Sequence, residues 1–341
     1  MLRRSVFWFI VFLPALFVCA LLLLIAAAVM VIRITNDVEV FTQSATPVQE
    51  LAREVYERHR SIWQAQRECI VFDEVLFYKP RPGECIFSNV EFSTILSFDH
   101  NGFRRTSPAL KQDSKLVSGR VVVLGDSQAM GWGVQDGETF ASVLAVEHGF
   151  EVFNLGVASY GTARELLRLR REFWLRSGDV VVIQYHSNDL VENLAFLNPE
   201  GMHAHSPADL GRLAHTPQSY GVFQVSASIA FIVKGWLTKA LFPVAVEETL
   251  SRESPAEIFL SVLDRFPELG QVRLVVCEVD SFGHVSSFAE DLSDRSRGRL
   301  TVLKPKWDVT DFFRLDSHLN ARGHLKLADL IAVTLQLAPG S

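Results

Sequence analysis

The tripeptide Gly125-Asp126-Ser127 stands directly behind a short apolar run, Val121 to Leu124, and is followed by Gly131 and Gly133. A run of that length closed by turn-forming residues reads as a buried strand that ends in a turn. A hydroxyl there is a candidate nucleophile, because open parallel sheets bind their ligands outside the carboxyl ends of the strands. By itself Gly-Asp-Ser is weak evidence, since Gly and Asp suit the backbone of any turn. Three further groups strengthen it: Asn154-Leu155-Gly156 at the end of the run that starts at Val152, His186-Ser187-Asn188-Asp189 after Val180 to Gln184, and Asp316-Ser317-His318 ahead of the last helix. Each falls at the end of a strand or just before a helix, so all four can converge on one edge of one sheet.

The elements that would position them alternate from Arg120 onward. After the first strand the pattern predicts a helix from Thr139 to His148 with Gly149 as its stop, and then the strand Val152 to Leu155. Thr162 and Glu165 have the spacing of a capping box for a helix that turns Leu166, Leu169 and Phe173 to one side and ends at Gly178. Ser254, Pro255 and Glu257 predict a second box. Val272 to Val276 and Leu300 to Leu303 are further strands, and Leu325 to Leu337 is a closing helix. Strands alternating with helices imply a parallel sheet covered on both faces. The stretch 191–250 breaks the alternation as an insertion; in it Phe223 to Leu241 is apolar but interrupted by Lys234 and Lys239, which favours a buried or lid-like helix over a membrane span.

In order and residue type the four groups resemble the blocks of the SGNH (GDSL-type) serine hydrolases, with Ser127, Gly156, Asn188 and His318 in the block positions. The resemblance covers roughly residues 98–337, and Asn101-Gly102-Phe103-Arg104 ahead of the first block is similar to membrane-associated relatives. It implies an α/β fold, a three-layer α/β/α, flavodoxin-like domain with a parallel sheet, and a serine esterase or deacylase that needs no cofactor and no metal. His318 is then the general base that takes the Ser127 proton, an imidazole of ordinary pKa about 6.5 being mostly neutral at pH 7. Asp316 would orient the imidazole and stabilise its charged form. The Ser127 and Gly156 backbone N–H groups and the Asn188 amide would form the oxyanion hole. Two departures stand out. Gln128 follows the serine where the short motif has leucine, a change that leaves the catalytic roles untouched. The family acid usually lies three residues before the histidine, where this chain has Leu315; a two-residue spacing occurs among relatives resembling alginate acetylation proteins, so Asp316 is preferred and Asp311 is the fallback.

Ahead of this domain, Ser5 to Ile32 carries no charged side chain. It exceeds the roughly 7–15-residue apolar region of a cleaved signal and suffices to cross a bilayer as a helix. Residues 1–33 therefore read as an uncleaved transmembrane anchor. Arg3 and Arg4 precede the span, whereas Asp37 and Glu39 soon follow it, which places the N-terminus in the cytoplasm and the rest outside, in the periplasm if the source is bacterial. Val48, Leu51, Val55 and Ile62 recur at helical spacing, predicting a helix over 47–66 within a juxtamembrane stalk, 34–69. Residues 70–118 read as a β-rich extension, with a tight turn at Asn101-Gly102, and 119–341 as the catalytic domain. Of the four cysteines, Cys19 lies in the span, Cys277 ends an apolar strand, and Cys69 and Cys85 flank a Pro/Gly turn where a disulfide would close a loop; the sequence leaves that bridge open.

At 341 residues and 48% hydrophobic content the chain can build a substantial core, and a net charge of −6 speaks against nucleic acid as a partner. His203, His205 and His215 lack a carboxylate partner in sequence and read as loop residues; His324 reads as a supporting or surface residue. Arg164, Arg168, Arg170, Arg171 and Arg176 make one helix basic, ordinarily a solvated face. Asp189 is expected to brace the Asn188 loop. The expected reaction is hydrolysis of an acyl ester, for instance acetyl, on an envelope glycan or lipid. An O-acyltransferase using the same serine, and a non-catalytic envelope scaffold, are the alternatives.

Overall fold

The computed structural model describes residues 2–106, 119–198, 201–202, 205–213, 221–241, 253–280 and 286–337, with side chains described from Phe12 onward except Lys239. The chain forms two compact units, one of residues 1–61 and 217–249, the other of 62–216 and 250–341.

The first unit is helical. α1 (Leu2–Asn36) is followed by α2 (Val38–Gln43) and α3 (Thr46–His59), and α9 (Val222–Leu241) joins them from later in the chain. Phe12–Asn36 of α1 is long and apolar enough to cross a membrane, and Phe12, Leu16, Phe17, Leu22 and Leu23 are exposed along it. α3 buries Ala52, Val55 and Tyr56. It stops at His59, short of the expected Gln66, because Arg60 turns extended. The apolar spacing that points onward to Ile62 belongs to the next unit, where Trp63 is fully buried against the rings of Tyr78 and Phe98. The helix expected as buried or lid-like is α9, which is buried along one face only.

The second unit is a three-layer α/β/α fold. Its sheet has β5 (Arg120–Leu124), β6 (Glu151–Asn154), β7 (Val180–Tyr185), β8 (Arg273–Glu278) and β9 (Thr301–Leu303), all parallel, in the order β6-β5-β7-β8-β9. That is the flavodoxin-like order, in which the chain steps to opposite sides of its first strand and leaves a crevice there. Every strand is short, and the central β5 and β7 are rich in Val, as expected where both faces are covered. Alternation along β5 divides the core: Val122 and Leu124 pack with α6 (Thr162–Glu172), α10 (Pro255–Leu263) and α11 (Phe288–Arg295), while Val121 and Val123 pack with α5 (Phe140–Val146) and α12 (Ala321–Leu337). α4 (Ser127–Met130), α7 (Asp189–Leu197) and α8 (Pro207–Leu213) complete the helices. α7 and α8 thus stay with the α/β unit while α9 groups with α1 and α3.

Ahead of the sheet, β1 (Ile70–Asp73) pairs antiparallel with β2 (Phe77–Pro80), and β3 (Gly83–Asn89) with β4 (Phe92–Phe98). Cys69 and Cys85 form a disulfide with Cα atoms 5.4 Å apart, joining the two pairs. Trp63, Tyr78, Phe87 and Phe98 build a small core that also takes in Met130, Trp132 and Tyr160 from the ends of the parallel strands. The β-rich extension is thereby packed onto the loops that follow β5 and β6. At Asn101-Gly102 the chain reverses with Gly102 at φ 77°, setting Arg104 antiparallel to Phe98 on one side and Asn154 on the other. The part of this extension at 107–118 lies outside the described residues.

Candidate active site

Ser127 opens α4 at the carboxyl end of β5. Asp126 caps that helix by accepting from the Gln128 N–H, and Gly125 precedes it at φ 146°. A Cβ on Gly125 would come within 2.5 Å of Gln184 Oε1 and 2.6 Å of Ala129 Cβ, so the turn admits only glycine. The Gln184 carboxamide oxygen in turn accepts the Asp126 N–H at 3.1 Å, tying the serine turn to neighbouring β7.

Across from it, His318 Nε2 lies 2.6 Å from Ser127 Oγ, and His318 Nδ1 is hydrogen-bonded to Asp316 Oδ1. The three side chains are little exposed, at 8% for Ser127, 6% for His318 and 1% for Asp316. With the two-residue spacing, Asp316 reaches the imidazole across the small loop Asp316-Ser317-His318. Asp311, the fallback acid, is instead bound to Lys326 and Arg322. Leu315 is buried, so the familiar position carries no carboxylate.

Residues the sequence did not single out hold this loop. Trp132 lays its indole flat on the His318 ring, with centroids 4.7 Å apart and planes 10° apart, and its Nε1–H donates to Asp316 Oδ2 at 3.1 Å. Glu91, in the β3–β4 turn, accepts the backbone N–H groups of Arg314, Leu315 and Asp316 at 2.9, 2.7 and 2.9 Å. Burial raises the Glu91 carboxyl above its usual pKa, against the lowering effect of the Asp316 and Leu315 N–H bonds and of the Arg314 charge. Gln128 accepts the Leu319 N–H at 3.0 Å and donates to the Ser317 carbonyl at 3.3 Å. The residue that departs from the short motif therefore has a structural task, bridging the serine helix to the histidine loop, which a leucine would not perform. Trp132 and Glu91 carried no local signal, since their partners are 184 and 223 or more positions away.

The remaining candidates also lie at strand ends. Gly156 follows β6 and presses on α4: a Cβ there would sit 2.5 Å from the Met130 nitrogen. Its N–H donates to Asn154 Oδ1 at 2.9 Å, while Asn154 Nδ2 donates to the Ala129 carbonyl. Asn188 follows β7 and is exposed; its side chain makes no cap bond to α7. Its loop is held by Asp280, which accepts the Ser187 N–H and lies 3.3 Å from His186 Nε2. Arg104 is buried and donates to Asp136 at 2.7 Å and to the Val134 carbonyl at 3.0 Å, fixing the turn that carries Trp132.

The helix bearing Gly161 and Thr162 corrects the expected capping box. Thr162 lies inside α6, and Gly161 is the N-cap. α7 supplies the cap instead: Glu192 accepts the Gly161 and Arg164 N–H groups, Asn193 accepts that of Ala163, and Asp189 accepts the Thr162 hydroxyl at 2.8 Å. Glu165 is fully buried among Asp189, Asp126 and Glu192, and desolvation, then the neighbouring carboxylates, holds its pKa well above the ordinary range. Burial likewise raises Asp189, with Asp126 adding to it and the Thr162 hydroxyl opposing. Asp189 thus ties the Asn188 turn to α6 through the Thr162 hydroxyl.

Other expectations are settled by packing. Arg168 is buried, donating to the carbonyls of Leu155 and Gly102, and Arg164, Arg170 and Arg171 pair with Glu192, Glu268 and Asp73, so α6 does not present a bare basic face. His205 stacks on Phe77 with centroids 4.0 Å apart, while His203 and His215 lie outside the described residues. His324 is buried rather than exposed: it stacks on Phe140 and its Nδ1 accepts the Phe140 N–H, and desolvation lowers its pKa to about 3.

No protein-family model and no curated protein matches the sequence. Several solved structures are similar at low identity. A member of the lipolytic protein G-D-S-L family from Veillonella parvula is 10% identical, with a TM-score of 0.36, over 65% of this chain and 100% of its own. A catalytic mutant of Axe2, an acetylxylan esterase from Geobacillus stearothermophilus, is 10% identical with a TM-score of 0.37, over 65% of this chain and 96% of its own. A carbohydrate esterase family 2 enzyme from Corynascus thermopiles, with its carbohydrate-binding domain, is 11% identical with a TM-score of 0.37, over 67% of this chain and 68% of its own.

Proposed function

We propose that the α/β unit is a serine ester hydrolase of the SGNH type, held at a membrane by α1. The observation that carries this is the continuous chain from Ser127 Oγ through both ring nitrogens of His318 to Asp316. In the proposed reaction His318 Nε2 takes the Ser127 proton as Oγ attacks the ester carbonyl, and Asp316 stabilises the imidazolium. The Ser127 N–H and the Asn188 amide receive the developing oxyanion, and the Gly156 N–H, bonded to Asn154 at rest, adds a shared donor. Collapse releases the alcohol, which takes the proton from Nε2; water, activated by the same nitrogen, then frees the acid and regenerates Ser127.

The proposed substrate is an acyl ester, short acyl groups such as acetyl included, on an envelope glycan or lipid. Outward placement is supported by the Cys69–Cys85 disulfide, a bond that persists in oxidising compartments, and by Arg3 and Arg4 ahead of the span. Retention of α1 is supported by its C-terminal third, where Ala28, Val31 and Ile34 are buried within the helical unit, a role that a removed signal would not have. The test is labelling of the full chain in detergent with a fluorophosphonate. The wild type should be labelled and Ser127→Ala should not; folded wild type that resists the probe would defeat the reading.

A further inference from the structure

We propose that α9 is a lipid-contacting helix whose outer face meets the interfacial layer of the membrane that α1 crosses; this rests on the anchor reading of α1. The helix has two unlike sides. Val225, Ile229 and Ile232, at i, i+4 and i+7, are at most 4% exposed and face the rest of the helical unit. Two contacts hold it on α3: Trp236 Nε1 donates to Glu54 at 3.0 Å, and His59 Nε2 lies 2.9 Å from Ser228 Oγ; at the border between the two sides the Arg58 guanidinium sits 4.5 Å from the ring centroid of the half-open Phe231. The opposite side leaves Phe223 80%, Phe231 62%, Leu237 56% and Leu241 70% exposed. Burial of such side chains is worth ~1.5–3 kcal/mol each, so a single helix face carrying all of them in water is strongly unfavourable.

Charge and continuity identify the occupant as lipid. Val222–Leu241 contains no Asp or Glu; its charges are Lys234 and Lys239, in a chain whose net charge is −6. A basic helix with an apolar face suits an anionic bilayer surface. α9 also belongs to the same compact unit as α1. α1 has 35 residues, roughly 50 Å of helix against a hydrocarbon core of about 30 Å, so part of it must emerge into the headgroup layer. The buried residues of α1, Ala28, Val31, Ile34 and Thr35, lie at its C-terminal end, whereas Phe12 to Leu23 stays open to lipid. α9 therefore forms a second membrane attachment, inserted in the chain between β7 and β8.

The test uses the full chain with Cys19→Ser, reconstituted in vesicles of phosphatidylcholine and phosphatidylglycerol. Phe231→Cys, Leu237→Cys, Leu22→Cys in α1 and Glu290→Cys on α11 are each labelled with a nitrobenzoxadiazole fluorophore. The expected result is that nitroxide-bearing lipids quench the labels at 231 and 237 at least threefold more than the label at 290, while aqueous iodide quenches them less. If 231 and 237 behave as 290 does while 22 is quenched by lipid, the α9 proposal falls and the anchor stands. If 22 also behaves as 290 does, the anchor reading itself falls. Shielding of 231 and 237 from lipid and iodide alike would mean that protein, such as a second copy, covers the face, and would also overturn the proposal.

Discussion

The indole Nε1–H of Trp132 donates to the Oδ2 of Asp316 while its ring lies flat on His318. One aromatic side chain thus fixes both the acid's second oxygen and the plane of the proposed base. Trp132→Phe keeps an aromatic surface and removes the donor. A hydrogen bond to a charged group is worth ~1.5–3 kcal/mol, so kcat for a chromogenic acetyl ester should fall by roughly 10- to 100-fold with the fold intact by circular dichroism. Unchanged turnover would show that Asp316 needs no second partner.

Gln128 bridges the serine helix to Ser317 and Leu319. Gln128→Leu, which restores the short motif, leaves the Leu319 N–H without its acceptor and should lower kcat about tenfold while KM stays near its wild-type value, because the loop that carries His318 loses its register. Stopped-flow assays across substrate concentrations separate the two parameters, and a pure KM effect would contradict this role.

Asn188→Ala should reduce kcat by about 10² to 10³ with no loss of thermal stability, since the side chain is exposed and makes no cap bond. Near-normal turnover would remove Asn188 from the proposed oxyanion hole.

Glu165 is buried and its pKa is raised. Between the ordinary carboxylate pKa and its folded value the native state holds a proton that the unfolded state has released, so stability falls as pH rises through that window. The limiting slope is about 1.4 kcal/mol per pH unit. Glu165→Gln removes this dependence, and its melting temperature should gain on the wild type progressively as pH rises above the ordinary carboxylate value in buffers of fixed ionic strength. Parallel curves would show that Glu165 is ionised in the folded protein.

His324 works in the opposite sense. Its folded pKa is lowered to about 3 by burial, so the unfolded chain binds a proton below the ordinary histidine value while the native state does not. Its contribution is complete above about pH 6.5 and is lost as pH falls toward 3. His324→Gln, which keeps an acceptor for the Phe140 N–H, should flatten this part of the acid-denaturation curve; an unchanged curve would place the acid lability elsewhere.

What the sequence by itself determined is local in origin. The Val-rich strands, the glycine-bearing turn before Ser127, the capping box at Ser254 and Glu257, and the apolar first helix are each written within a few residues, because strand, turn and cap preferences act over that range. The order of the four groups along the strand ends also brought Ser127 and His318 together on paper, and the parallel sheet places them at the same edge. Only tertiary structure decided the rest. Thr162 has the spacing of a cap yet yields that task to Glu192 and Asn193, because a second helix brings carbonyl and carboxylate oxygens to the same N–H groups. Ile62 continues a helical period yet lies beyond the helix end, next to Trp63, which a different core buries. Glu91 and Trp132 reach the Asp316 loop across more than 180 residues of chain. Such contacts follow from how the sheet folds the chain back on itself, and no window along the sequence contains both partners.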